Sequence, residues 1–252
     1  MKRKLLALVV VTMLTQMSFA QDVATLTREA VTFEKQMKEM EALVKYKAII
    51  AAEPKNVNAH VKAAELTAAI GTRFKKESEK IPHFKEALQL AQDATVADPN
   101  SADAWYVLAM ASGKMTEVAE DNKQTVAFVK DIHTYASKAL AINPNHAKAN
   151  YVMGKWHLSM VTLNFVKKAA VKALYGGLPK ADINEAIKYM ELCRKNDVYF
   201  IVNYLDLAKA YEELNKPTKV IEILNLLVKM PLRTVNDAAI KEEGKQMLAK
   251  YQ

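Results

Sequence analysis

Cysteine is nearly absent: Cys193 is the only one among 252 residues, so no disulfide can form within the chain. It closes the stretch Tyr189-Met190-Glu191-Leu192-Cys193, where a small residue ends a helix pattern, and reads as a buried packing thiol. Glycine (six) and proline (seven) are too scarce for low-complexity linkers. No strand-turn-strand pattern breaks the helical periodicity, which predicts an all-α chain.

Motifs of chemistry are also missing. His60, His83, His133, His146 and His157 form neither H-x3-H nor H-E-x2-H, and a lone cysteine forms no Cys-x2-Cys. These spacings give no basis for a metal or a cofactor. Gly176-Gly177 stands before Pro179 without the G-x4-G-K spacing or the strand of a phosphate loop, and reads as a helix break. Glu212-Glu213 and Glu242-Glu243 are neighbours on helices, so each pair points apart and reads as a solvated face. A non-catalytic protein is expected.

Only one apolar run is long. Lys2, Arg3 and Lys4 precede Leu5 to Met17, and Ser18-Phe19-Ala20 follows with small residues where a signal peptidase reads. The run falls short of the roughly 20 residues a membrane-crossing helix needs, which disfavours the alternative of a retained anchor. Residues 1–20 are thus expected to be a cleaved signal peptide and 21–252 a single repeat domain. No cysteine beside the cleavage point offers a lipid attachment, so a periplasmic protein is expected. Cleavage removes three positive charges and no acids, lowering the formal +8 to about +5. A charge that small does not imply nucleic-acid binding, which needs clustered Lys and Arg.

A repeat is present. Pro54, Pro99 and Pro144 recur every 45 residues. Ala87, Ala91, Ala94 and Pro99 resemble the second helix of a tetratricopeptide unit, and Trp105, Leu108 and Ala109 resemble the opening of the next. The spacing predicts a right-handed superhelix of about five hairpins with inserted helices and a C-terminal capping helix from Val235 to Tyr251. Its first helix is read over Thr27 to Lys38. Gly71 is expected to end a helix in the left-handed region, followed by a polar insertion from Arg73 to Lys80 and a second helix after Pro82. Further insertions are read from Gly113 to about Val129 and from Val161 to Asp182. Gly154 is expected to let two helices approach closely.

Other residues carry a more specific likeness. They are His133, Ala139, Leu140 and Pro144; Gly154-Lys155-Trp156; Leu163 and Lys168; the A-L-Y-G-G-x-P run from Ala173 to Pro179; and Leu207-Ala208-Lys209-x-Tyr211. This combination, from Trp105 onward, resembles the regulator of microtubule dynamics family of tetratricopeptide-like proteins. Leu178 departs from the proline often found there. The resemblance implies the fold and its groove. Animal members act with microtubules or at organelle contacts, but a periplasm has no microtubules, so none is expected as a partner here.

In a repeat of this kind the first helices line the concave face through their second, fifth, ninth and twelfth positions. That frame selects Asn58, Val61 and Glu65; Asp103, Tyr106 and Met110; Lys148, Tyr151, Lys155 and Leu158; and Leu205, Lys209 and Glu212. Within it, Tyr106, Met110, Tyr151, Lys155, Leu158 and Lys209 are the candidate partner-binding residues. Tyr106 is expected to stack above Tyr151, and Lys155 above Lys209. Paired rings and ammonium groups suit an extended peptide or an anionic headgroup. A protein-binding scaffold of the cell envelope is the leading expectation. The alternative is a carrier of a lipid or other amphiphile under the basic insertion (Phe165, Lys168, Lys172, Leu174, Tyr175), with Met110, Met153, Met160 and Met190 lining an adaptable cavity. An intact-mass measurement on protein recovered from a bacterial periplasm should give a chain starting at Gln21; a chain retaining Met1 would refute the leader.

Overall fold

In the computed structural model the described residues are 22–164, 169, 171–172 and 176–251. The expected leader, and Phe165, Lys168, Leu174 and Tyr175 of the basic insertion, lie outside them. Among the described residues there are helices and no strands. Helix α1 (22–35) pairs with α2 (Glu39–Ala52) and α3 (Val57–Thr72) with α4 (Glu77–Ala97). Next come α5 (Ala102–Met115) with α6 (Asn122–Ile142), then α7 (Ala147–Val161) with α8 (Ile183–Asn196). Helix α9 (Ile201–Glu213) pairs with α10 (Pro217–Lys229), and α11 (Asp237–Leu248) caps the stack with a 3₁₀ turn at Ala249–Tyr251. These are the five hairpins and cap of a tetratricopeptide-like superhelix.

The same turn joins successive hairpins, and its chemistry is local. The amides of Glu53, Asp98, Asn143 and Asp197 each bond back to the carbonyl four residues earlier, at 2.7–3.1 Å. Pro54, Pro99 and Pro144 follow the first three and cannot continue the helix; Val198 stands at that place after Asp197. Six residues beyond each, one side chain donates to the carbonyl of that proline or valine. His60 Nε2 lies 2.9 Å from the Pro54 oxygen, and Trp105 Nε1 2.8 Å from that of Pro99. Asn150 Nδ2 reaches Pro144 at 2.9 Å, and the Tyr204 hydroxyl reaches Val198 at 2.9 Å. Four different donors do one job. Asn56, Ser101 and His146 then cap the new helix, each accepting from the amide three residues on.

The core is a seam along the stack. Tyr46, Ile49, Ala59 and Ala63 pack at its N-terminal end, Val107, Ala109, Ala136 and Ala139 in the middle, and Met190, Leu207, Leu224 and Leu227 at the far end. Small residues set the helix spacing. A Cβ on Gly154 would lie 2.7 Å from Met190 Cγ and 2.9 Å from the Ala186 carbonyl oxygen, so α7 and α8 touch there as expected. Cys193, fully buried, has its thiol pushed up to about 12 by burial, which keeps it protonated.

Four local expectations are corrected. Gly71 lies inside α3, and its φ is not left-handed; a Cβ there would meet His83 Cβ at 2.7 Å, so contact with α4 requires the glycine. Helix α4 starts at Glu77, well before Pro82, leaving an insertion shorter than Arg73 to Lys80. Glu77 and Glu79 in its first turn favour the positive end of the helix dipole, which offsets part of the cost of Pro82. Helix α6 likewise begins at Asn122, capped by Asp121, so the insertion after Gly113 is a short turn. Helix α1 begins before Thr27 and ends at 35, because Met37 turns left-handed (φ 57°) and the Lys38 amide bonds to Phe33 O.

The two glycine environments generate a paired test. Gly154→Ala should lower stability by about 1–3 kcal/mol through overpacking, and Gly154→Leu more. Gly113→Ala, whose Cβ would find its nearest neighbour at 3.8 Å, should raise it by up to about 1 kcal/mol. Chemical denaturation of the three variants checks the order.

Candidate functional site

The inner helices α3, α5, α7 and α9 bring polar side chains from successive hairpins to a few carboxylates. At Glu65 three hairpins meet. The Tyr106 hydroxyl donates to Glu65 Oε1 at 2.8 Å, and Lys148 Nζ to the same oxygen at 2.6 Å. Lys148 also lies 5.7 Å from the centre of the Tyr106 ring and 5.9 Å from that of Phe200. Burial alone would raise the Glu65 carboxyl, but Lys148 and Lys62 outweigh it and hold it below the usual range. Burial pulls Lys148 down, and Glu65 more than restores it. The Tyr106 phenol is pushed well up, by burial first and then by the Glu65 charge. All three groups therefore keep their ordinary charge states at neutral pH.

Asp206 is the second meeting point. It is buried, and it accepts from the Tyr151 hydroxyl at 2.8 Å and Lys155 Nζ at 2.8 Å, with Lys209 Nζ at 3.8 Å. Lys209 also pairs with Glu243 of the capping helix at 2.7 Å. At the helix starts, His146 Nε2 lies 2.9 Å from Asp103 Oδ1, and that bond holds the Asp103 carboxyl low.

Two open troughs flank these groups. The larger, about 670 Å³, runs over the starts of α3, α5 and α7, past Asn58, Lys62, Asp103, Asn145, His146 and Lys148. The smaller, about 410 Å³, lies over the ends of α7 and α9 and against α11, past Lys155, Leu158, Lys209, Glu243, Gln246 and Lys250. Both mix cationic, anionic and amide side chains. Neither suits a ligand of one strong charge.

The candidate residues divide between these environments. Lys155, Leu158 and Lys209 line the smaller trough together. Tyr106 and Tyr151 line neither, and they do not stack on each other: Tyr106 faces the His146 ring at 5.1 Å and Tyr151 the Phe200 ring at 5.1 Å. Met110 is half-buried against the central core, again outside both troughs. Lys155 and Lys209 do come together, over Asp206. In α9 the frame residue Leu205 is buried in the core, and its neighbour Asp206 meets Tyr151. Asp206 was the residue missed. Its signal was a lone acid inside the apolar run Tyr204-Leu205-Asp206-Leu207-Ala208.

The Gly154-Lys155-Trp156 motif divides its work in the same region. Gly154 admits Met190, Lys155 holds Asp206, and Trp156 donates to the Val129 carbonyl of α6 at 2.9 Å. His157 accepts the Asp182 amide at 3.2 Å, and its ring lies 5.8 Å from Tyr189. Burial holds both His133 and His157 below the usual imidazole range. Among the described residues, no group of three or more His, Cys, Asp or Glu is placed to hold a metal ion. No described helix is long and apolar enough to cross a membrane.

The family model of regulator of microtubule dynamics protein 1-3 matches residues 26–252. Regulator of microtubule dynamics protein 1 of Rattus norvegicus is 26% identical over 175 residues, 68% of this chain and 56% of the rat protein. The Caenorhabditis elegans protein of the same name is 26% identical over 113 residues, 45% of this chain and 50% of its own length. The chain thus spans about half the length of these relatives. Among solved structures, a thermophilic TPR protein of Thermus thermophilus superposes with a TM-score of 0.63 at 14% identity, covering 90% of this chain and 99% of that one. PilF of Pseudomonas aeruginosa superposes with a TM-score of 0.53 at 12% identity, covering 93% and 90%. At these identities the structural likeness defines the fold alone.

The Glu65 meeting point makes stability depend on pH in a defined direction. Its folded carboxyl titrates below the usual value of 4.5, so its contribution is complete above that pH and is lost as pH falls through the folded value. Glu65→Gln should cost about 1–3 kcal/mol at pH 7, because it strands Lys148, which retains 31% of its side-chain exposure. Thermal melts from pH 7 to pH 3 should show the gap between parent and variant closing below pH 4.5.

Proposed function

Because the chain belongs to the regulator of microtubule dynamics family, with its helical-repeat fold, we propose that it is a non-catalytic scaffold that holds a protein partner against its concave face. One observation carries this reading. The inner helices present two open, mixed-charge troughs, while Glu65 and Asp206 beside them are engaged by tyrosine hydroxyls and lysines. An extended polypeptide offers amides, acids and bases in turn along its length, which matches such a lining better than a single anionic headgroup does.

The scaffold is exported and works in the bacterial periplasm. The basic start, short apolar run and small-residue site of residues 1–20 support that placement. A microtubule partner does not fit that compartment, whatever the names of the relatives. The amphiphile-carrier reading is the weaker one. Met153 and Met190 are consumed in the core, and Met110 and Met160 line neither trough.

Crosslinking in the native envelope, followed by identification of the captured proteins, tests the proposal. Asn58→Arg with Asn145→Arg fills the larger trough, and Ser159→Arg with Gln246→Arg fills the smaller. At least one pair should abolish a specific crosslink while leaving the melting temperature within a few degrees of the parent. Retention of every partner by both folded variants would refute the concave assignment. A bound lipid in the native mass spectrum of protein purified without detergent would instead favour the carrier.

A further inference from the structure

The two ends of the superhelix touch. Arg73, just beyond α3, donates through Nη1 to Asn236 Oδ1 at 2.9 Å, although the residues are 163 apart in sequence. Asn236 Nδ2 faces the Ala69 carbonyl at 3.4 Å, and Arg73 Nη2 pairs with Glu39 Oε2 of α2 at 2.7 Å. Arg73 therefore ties the second hairpin to the first on one side and to the capping segment on the other.

The segment that presents Asn236 is a built strut. Asp237, buried, accepts the amides of Arg233 and Thr234 at 2.7 and 2.9 Å and the Thr234 hydroxyl at 2.6 Å. Lys241 Nζ donates to the Met230 carbonyl at 2.6 Å, and the Arg233 guanidinium lies 3.9 Å from the centre of the Tyr199 ring. These bonds fasten residues 230–237 to the C-terminal hairpins. Across the clasp the bonding is different in kind. The apolar clusters at the two ends of the stack share no residue, and the Arg73–Asn236 bond is exposed, where water competes for both partners.

We propose that the Arg73–Asn236 contact is a releasable clasp that holds the superhelix closed and governs the width of its concave face. Helix α3 lines the larger trough and α11 the smaller, so parting them changes the space between the two. Motion is concentrated where bonding is sparse: the two ends separate as preformed bodies, and the hairpin seams flex between them. The clasp bears on the concave reading above, but its test uses no partner. Failure of one leaves the other standing.

The measurement is electron–electron distance spectroscopy on the mature chain carrying nitroxides at Lys76→Cys and Lys245→Cys, both exposed sites; Cys193 stays buried and unlabelled. The parent should give one narrow distance. Arg73→Ala and Asn236→Ala should each add a longer population and raise the radius of gyration in solution scattering. Asn236→Ala is decisive, because it leaves the Arg73–Glu39 pair intact and keeps the N-terminal hairpins folded. An unchanged, narrow distribution in folded Asn236→Ala would overturn the clasp, whatever Arg73→Ala does.

Discussion

The curvature of this molecule depends on a carboxylate shared between hairpins. Glu65 accepts from Tyr106 one hairpin on and from Lys148 two hairpins on. A bond between neighbours fixes only a spacing; a bond that skips a neighbour fixes an angle. Asp206 works over a shorter reach, drawing Tyr151 and Lys155 of α7 toward α9. Taking these charges out of water is costly unless each finds its complement, and here each does. The shape of the troughs follows from that matching, since Lys148 borders one and Lys155 the other.

Apolar packing and polar bonding divide the labour along the chain. Small residues at Ala64, Ala109, Gly154 and Ala208 sit in the seam and let helices interlock. That seam supplies most of the stabilisation, but it is tolerant of sliding, because one alanine resembles the next. The bonds from His60, Trp105, Asn150 and Tyr204 remove the tolerance. Each pins the start of an inner helix to the turn that launched it.

Much of this was legible in the residues. Prolines at constant spacing announced the turns, and alanines at helical spacing announced the second helices, because both follow from backbone sterics that act locally. Gly154 was legible for the same reason. The boundaries of α4 and α6 were not, since Pro82 looked like a barrier and the acids that start each helix looked like loop. For the candidate site, the equivalence of positions along the inner helices was legible and the contacts made there were not. Tyr106 and Tyr151 hold equivalent positions on successive inner helices, yet their hydroxyls turn into carboxylates on neighbouring hairpins. Such contacts span 41 and 55 residues and leave no spacing rule behind. Asp206 escaped because it stands next to a frame position and not at one.

The interchangeable donors carry an evolutionary consequence. A position that accepts histidine, tryptophan, asparagine or tyrosine is constrained in hydrogen-bond capacity and nearly free in identity. Relatives can drift past recognition at that place while the turn it secures persists unaltered. Letter-by-letter comparison of the turns of this chain therefore understates their likeness, which lies in a donor atom six residues after the residue that closes each hairpin.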